Sequence, residues 1–171
     1  MRINNIEVDA VKKLVSEVEE DPDKARVVKK ARGEWVFEEG APQFKIYVNY
    51  EGGKLELEAD SPSKMGGSGL APDPVQYCLS GLIACFAQTF VGIATEKGVR
   101  LTKLKVTAEA RINLRRPLGL GDDPISEGVK ITVDAEGAEK EVLEEILKES
   151  MYRCPGVYCV SNPVPVESEL K

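Results

Sequence analysis

Histidine is absent from all 171 residues of the chain. Its absence removes Ser-His and Cys-His nucleophile–base arrangements and the usual His-bearing metal sites. Any acid–base work therefore falls to Glu, Asp, Lys, Tyr or Cys. Basic clusters are also scarce. The only adjacent basic pairs are Lys12-Lys13, Lys29-Lys30 and Arg115-Arg116, against a formal net charge of −6. Little would neutralise phosphates, so no nucleic acid is expected as a main partner. The opening "MRINNIEVDA" lacks an apolar h-region, so no secretory leader is expected and the protein is assigned to the cytoplasm.

What is present fits a packed soluble domain, with 42% hydrophobic and 30% charged residues. No charge occurs from Pro74 to Thr95, a stretch long enough to span a bilayer. Gln76, Ser80, Gln88, Thr89 and two glycines dilute it, and no aromatic girdle or basic flank follows. A helix enclosed by protein is expected instead, with no membrane partner. Such a helix, apolar nearly all round, needs cover on every side. A second subunit is a natural source of that cover.

Residues 5–21 read as a helix, within an N-terminal helical arm spanning 1–30. The main domain is 31–171. From Gly33 the apolar period becomes two, first at Trp35 and Phe37, then at Phe44, Ile46, Val48 and Tyr50, then at Leu55, Leu57 and Ala59. That pattern predicts an antiparallel meander. The Gly/Pro-rich loop 60–74 carries "GGSG" without the Lys-Ser/Thr of a nucleotide loop. Asp73-Pro74 signals a helix start, and Gly98 its stop. Strands are expected around 104–112 and 129–135, an amphipathic helix around 142–147, and an edge strand in "NPVPVES". The sum is an α+β fold with antiparallel sheets around a long central hydrophobic helix.

Four cysteines remain. Cys78 and Cys85 are seven apart and share a helix face. Seven residues rise roughly 10 Å, so the two cannot bridge each other. Cys85 is left with Cys154 or Cys159 as a partner. Free cysteines usually pack as small hydrophobes, and Cys78 and Cys159 are read that way. The spacings do not form the short paired knuckles of a zinc site, so no metal is expected. Cys85 lies mid-helix, out of reach of that helix's N-terminus, and needs a nearby cation to be a thiolate at neutral pH.

"APDPVQYCLSGLIACF" resembles the helix-opening signature of the OsmC/Ohr family of thiol peroxidases, and "RCPGVYCVSNPVPV" resembles its second, Cys-Pro signature. The similarity in element order covers about residues 31–168, and the ending looks like a divergent OsmC-related subgroup. The resemblance implies an OsmC-like fold and an intertwined homodimer built on two central helices. It also implies a peroxidatic Cys85 and a resolving Cys154. A small organic hydroperoxide would be the substrate and a dithiol the external reductant, with no bound cofactor. The family's active members carry a Glu near the start of this helix and an Arg on an N-terminal loop. Here Gln76 is the nearest polar equivalent of the Glu. "FEEGAPQF" has no Arg, and Arg153 is favoured as a substitute by adjacency to Cys154, with Arg115 and Arg116 behind it. If peroxidase chemistry persists, a guanidinium is expected to face Cys85 and draw its pKa below about 7. The alternatives are a non-catalytic relative that binds a small apolar ligand at the dimer cleft, and a protein with only a structural disulfide.

Overall fold

The computed structural model describes residues 1–171. The chain divides into two compact units. One joins Met1–Ala10 to Leu79–Lys171, and the other is Val11–Cys78.

The N-terminus differs from the expected helix over 5–21. Arg2–Ile3 (β1) pairs with Ile6–Glu7 (β2) in a minute hairpin, and the helix α1 begins only at Val8, ending at Glu20. The cause lies at Asn4 and Asn5, whose φ values of 51° and 63° put both in the left-handed region. Asparagine tolerates that region better than most residues, and it breaks the helix upstream of Val8. Asn4 has a second task. Its amide donates to Thr95 Oγ1 and to the Val99 carbonyl, and it accepts from Leu101 N–H. Three hydrogen bonds thus fasten the hairpin to a helix end almost a hundred residues away.

In Val11–Cys78 the period-two pattern folds as a meander of Arg32–Trp35 (β3), Phe44–Tyr50 (β4) and Gly53–Ala59 (β5), in the order β3-β4-β5. Register places Ile46 opposite Leu57 and Val48 opposite Leu55, so the apolar residues share one face. Trp35 faces Phe44 across the first ladder. The Phe44 ring packs where a side chain on Gly33 would stand, so that position admits only glycine. β3 stops at Trp35, and Phe37 lies beyond it, exposed.

The loop after β5 is better ordered than its composition suggests. Asp60 is 1% exposed. One carboxylate oxygen accepts from Ser68 N–H at 3.1 Å and Leu70 N–H at 2.9 Å. Its own N–H donates to the Pro72 carbonyl, and Gln43 Oε1 accepts from Ser61 N–H. The loop is wound around the buried Asp60 side chain. Asp60→Ala should leave two part-buried donors without their acceptor, lowering stability by about 1–2 kcal/mol. A lower urea midpoint with unchanged slope is the expected reading.

The long helix α2 runs Pro74–Glu96. Asp73 caps it: its Oδ1 accepts from Val75 and Gln76 N–H, and Gln76 Oε1 reaches back to Asp73 N–H. This reciprocal pair is a capping box. At the other end Gly98 sits at φ 74°, its N–H bonded to Thr95 O and Val99 N–H to Ala94 O. That is a Schellman stop. α2 is long and apolar enough to cross a membrane, and 33% of its apolar window is buried inside the chain. The expected all-round burial is not met by one chain. Leu82, Phe86, Phe90 and Ile93 are buried, whereas Val75, Gly81, Ala84 and Gln88 are open.

The stripe is covered by elements of its own unit. Lys103–Ile112 (β6) and Ser126–Glu136 (β7) form a long antiparallel hairpin whose Leu104, Val106 and Ala108 face Ala135, Val133 and Ile131 in register. These residues pack against the α2 stripe and Ile146 of α3 (Lys140–Arg153). A short helix α4, Pro155–Ser161, follows directly. Beyond it "NPVPVES" is exposed and forms no strand, contrary to expectation. Pro163 and Pro165 remove two ladder donors within three residues, leaving too few for a stable pairing.

Candidate functional site

The two signature cysteines meet inside Leu79–Lys171. Cys85 lies on α2 beside Phe86, and Cys154 is fully buried between α3 and α4. The local sequence explains the second placement. Pro155 has no N–H, so it cannot continue the α3 ladder, and it restricts the residue before it to extended conformations. Cys154 accordingly sits at φ −75°, ψ 119°, with its N–H closing α3 on Ser150 O. It is held at the corner between two helices, and its Sγ lies 3.7 Å from Cys85 Sγ. The sulfurs are in van der Waals contact and not bonded.

Gly156 completes the corner and was not legible from the sequence. A Cβ at this position would stand 3.3 Å from Cys85 Cβ, 3.5 Å from Cys85 Sγ and 3.2 Å from Leu82 Cδ1. Glycine is what lets α4 lie directly on the thiol, and the Gly156 N–H donates to the Cys85 sulfur. The sequence signal was the "CPG" triplet, which the Cys-Pro signature contains without assigning its glycine a role.

Burial pushes the Cys85 thiol above its ordinary value. The Gly156 hydrogen bond works against that rise. The neighbouring Cys154 sulfur, and then Cys159, add to it. No guanidinium of the same chain is among these influences, and the shift runs opposite to the expected fall below about 7, for which an arginine of either subunit was the candidate. The candidate arginines are engaged elsewhere. Arg153 donates to Glu96 at 2.9 Å and to Glu149 at 2.8 Å, and Glu149 also pairs with Lys97. Arg153 thereby fastens the end of α3, next to Cys154, to the end of α2. Arg115 is bound by Asp123 and the Leu120 carbonyl in the β6–β7 loop. Gln76 has its side-chain carbonyl committed to the α2 cap.

Cys78 and Cys159 are exposed in the chain, not packed in a core as their residue type suggested. Cys78 precedes the buried part of α2, and Cys159 lies in the second half of α4. No group of three or more Cys, Asp or Glu side chains is arranged to hold a metal ion.

The sequence pattern that defines the OsmC-like protein family matches residues 66–169, which include both signature cysteines. The chain belongs to the OsmC-like family. Curated protein sequences offer no match. Among solved structures, an organic hydroperoxide resistance protein OsmC from Legionella pneumophila superposes with a TM-score of 0.60 at 18% identity, covering 80% of this chain and 92% of that one. An organic hydroperoxide resistance protein from Elizabethkingia anophelis gives 0.58 at 16% identity, covering 80% and 91%. At these identities the likeness is one of fold. A Vibrio cholerae protein described as a putative organic hydroperoxide resistance protein, with captopril bound in one of its active sites, gives 0.54 at 25% identity, covering 80% and 87%. The α+β architecture with a long central helix is thus the OsmC/Ohr fold, and the family setting is redox and peroxide-related.

Proposed function

We propose that this OsmC-like protein reduces organic hydroperoxides through a Cys85 sulfenate and a Cys85–Cys154 disulfide. The observation that carries the reading is the 3.7 Å separation of the two sulfurs in an apolar wall. In the first step the Cys85 thiolate attacks one peroxide oxygen. The O–O bond breaks, the hydroxyl oxygen stays on Cys85 as a sulfenic acid, and the alkoxide leaves and takes a proton from solvent to become the alcohol. Cys154 then attacks that sulfur, water leaves, and a disulfide closes with little movement. An external dithiol reopens it and is itself oxidised. No bound cofactor enters the cycle. Leu82, Phe86 and Val157 around the thiols favour an apolar peroxide over hydrogen peroxide. In this reading Gly156 steadies the thiolate, and Arg153 is a positioning residue that holds the Cys154 corner against α2.

One equivalent of cumene hydroperoxide should consume two thiols per chain and yield a Cys85–Cys154 linked peptide by mass spectrometry. Four free thiols after the same treatment would count against the proposal. The raised Cys85 thiol favours a second reading, a binding protein with slow or no turnover. Four free thiols together with saturable binding of the hydroperoxide would select it.

The reading includes a cytoplasmic homodimer. Trp35, Phe37 and Leu55 in one unit, and Val75 at the start of α2, are large apolar side chains that the single chain leaves open. Gly81 and Ala84 give the open side of α2 a small-residue strip that admits a second helix at close range. Light scattering at micromolar concentration should return twice the 18.7 kDa chain mass. A monomeric mass would remove the dimer.

A further inference from the structure

The buried resolving cysteine raises a problem of access. Cys154 is 0% exposed, and Cys85 is walled on one side by Gly156 and Leu82. A disulfide between them offers a protein reductant only the partly exposed Cys85 sulfur. Cys159, by contrast, is exposed.

Its place on α4 is informative. Cys159 follows Gly156 by three residues, so the two share a face of the helix. Neighbours at that spacing have Cβ atoms about 5–6 Å apart. A Cβ at Gly156 would stand 3.3 Å from Cys85 Cβ, so the Cβ atoms of Cys85 and Cys159 lie within about 9 Å of each other. Cys159 is among the groups that push the Cys85 thiol up, in keeping with that proximity. Disulfide formation needs Cβ atoms about 3.5–4.5 Å apart, so α4 must shift by a few ångströms. Nothing regular follows α4 to resist this. Residues 162–171 form no strand or helix and are exposed. Cys78 lacks such a route, because it is separated from Cys85 along a continuous helix by roughly 10 Å.

We propose that Cys159 is a third redox thiol, which takes over the Cys85–Cys154 disulfide and presents it at the surface. This rests on the peroxidase reading above. The Cys159 thiolate attacks the Cys85 sulfur along the S–S axis. The Cys85–Cys159 bond forms as the Cys85–Cys154 bond breaks. The electron pair leaves on Cys154, which takes up from solvent the proton that Cys159 released. One disulfide replaces another, with no net redox change. A protein dithiol then attacks the exposed Cys159 sulfur and expels Cys85 as thiolate. Its second thiol closes its own disulfide, returning Cys159 to the thiol state.

Two variants of the full chain test the relay beside the wild type. Cys154→Ser, given one equivalent of cumene hydroperoxide and mapped by mass spectrometry, should contain a Cys85–Cys159 linkage. Cys85 sulfinic acid beside a free Cys159 thiol would overturn the relay. Cys159→Ser, first oxidised to the Cys85–Cys154 disulfide, should be reduced by reduced thioredoxin at least about fivefold more slowly than oxidised wild type. Equal rates would overturn it as well. If the wild type forms no Cys85–Cys154 disulfide, the peroxidase reading fails and the relay falls with it. If that disulfide forms and either variant gives the negative result, the relay alone fails.

Discussion

Replacing Cys85 by serine should reduce hydroperoxide consumption to background, a loss on the order of a thousandfold or more. The serine hydroxyl keeps the volume and the neighbours but not the chemistry. An alcohol is barely ionised at neutral pH, and its oxygen does not take up a second oxygen as a sulfenate does. The change should also be mild for stability, because Cys85 is partly exposed and donates no buried network bond that the fold needs. Cys78→Ser is the control. Cys78 is exposed near the start of α2 and should retain the wild-type rate. Coupled reductant assays on the three proteins read the difference directly. Equal rates for Cys85→Ser and Cys78→Ser would remove Cys85 from the mechanism.

The second large effect is the dependence of peroxide attack on pH. The reacting species is the thiolate, and burial holds the Cys85 thiol above its ordinary value. Free cysteine titrates near about 8.5, so the rate constant should rise close to tenfold per pH unit through neutrality and continue past pH 8. Between pH 7 and pH 9 the gain should exceed the roughly 25-fold that a free thiol would show. A plateau reached below pH 7 would overturn this and place a guanidinium beside the thiol in the assembled protein. Stability follows the same shift. The folded state holds the proton more tightly than the unfolded chain, so its contribution is full below the unfolded value. It is lost as pH rises through the folded one, and alkaline pH should speed the chemistry while weakening the fold. Thiolate absorbance and denaturant midpoints across pH 6 to 10 measure the two together.

The local structure was legible from neighbouring residues. Asp73-Pro74 and Gly98 determine where α2 starts and stops, because caps act across three or four residues. The period-two runs determine the meander and the β6–β7 hairpin, because alternation places the apolar residues on one face. The two cysteine signatures singled out Cys85 and Cys154, whose sulfurs the structure brings together, through their likeness to a family and not through spacing. Other features depended on residues distant in the chain. Asn4 ties down an end of α2 more than ninety residues later, and Asp60 gathers a loop around a buried oxygen. Arg153, chosen as an activator for its adjacency to Cys154, is drawn away to Glu96 and Glu149. Cys78 and Cys159 are exposed although their residue type favours burial, since burial depends on what packs above a residue and not on its identity. The approach of Cys154 to Cys85, across 69 positions, arises only when Pro155 turns the chain and Gly156 lets α4 settle on α2. Neither residue carries a side chain that announces the contact. Its cause is a missing N–H at one position and a missing Cβ at the next, and only the packed structure reveals what those absences admit.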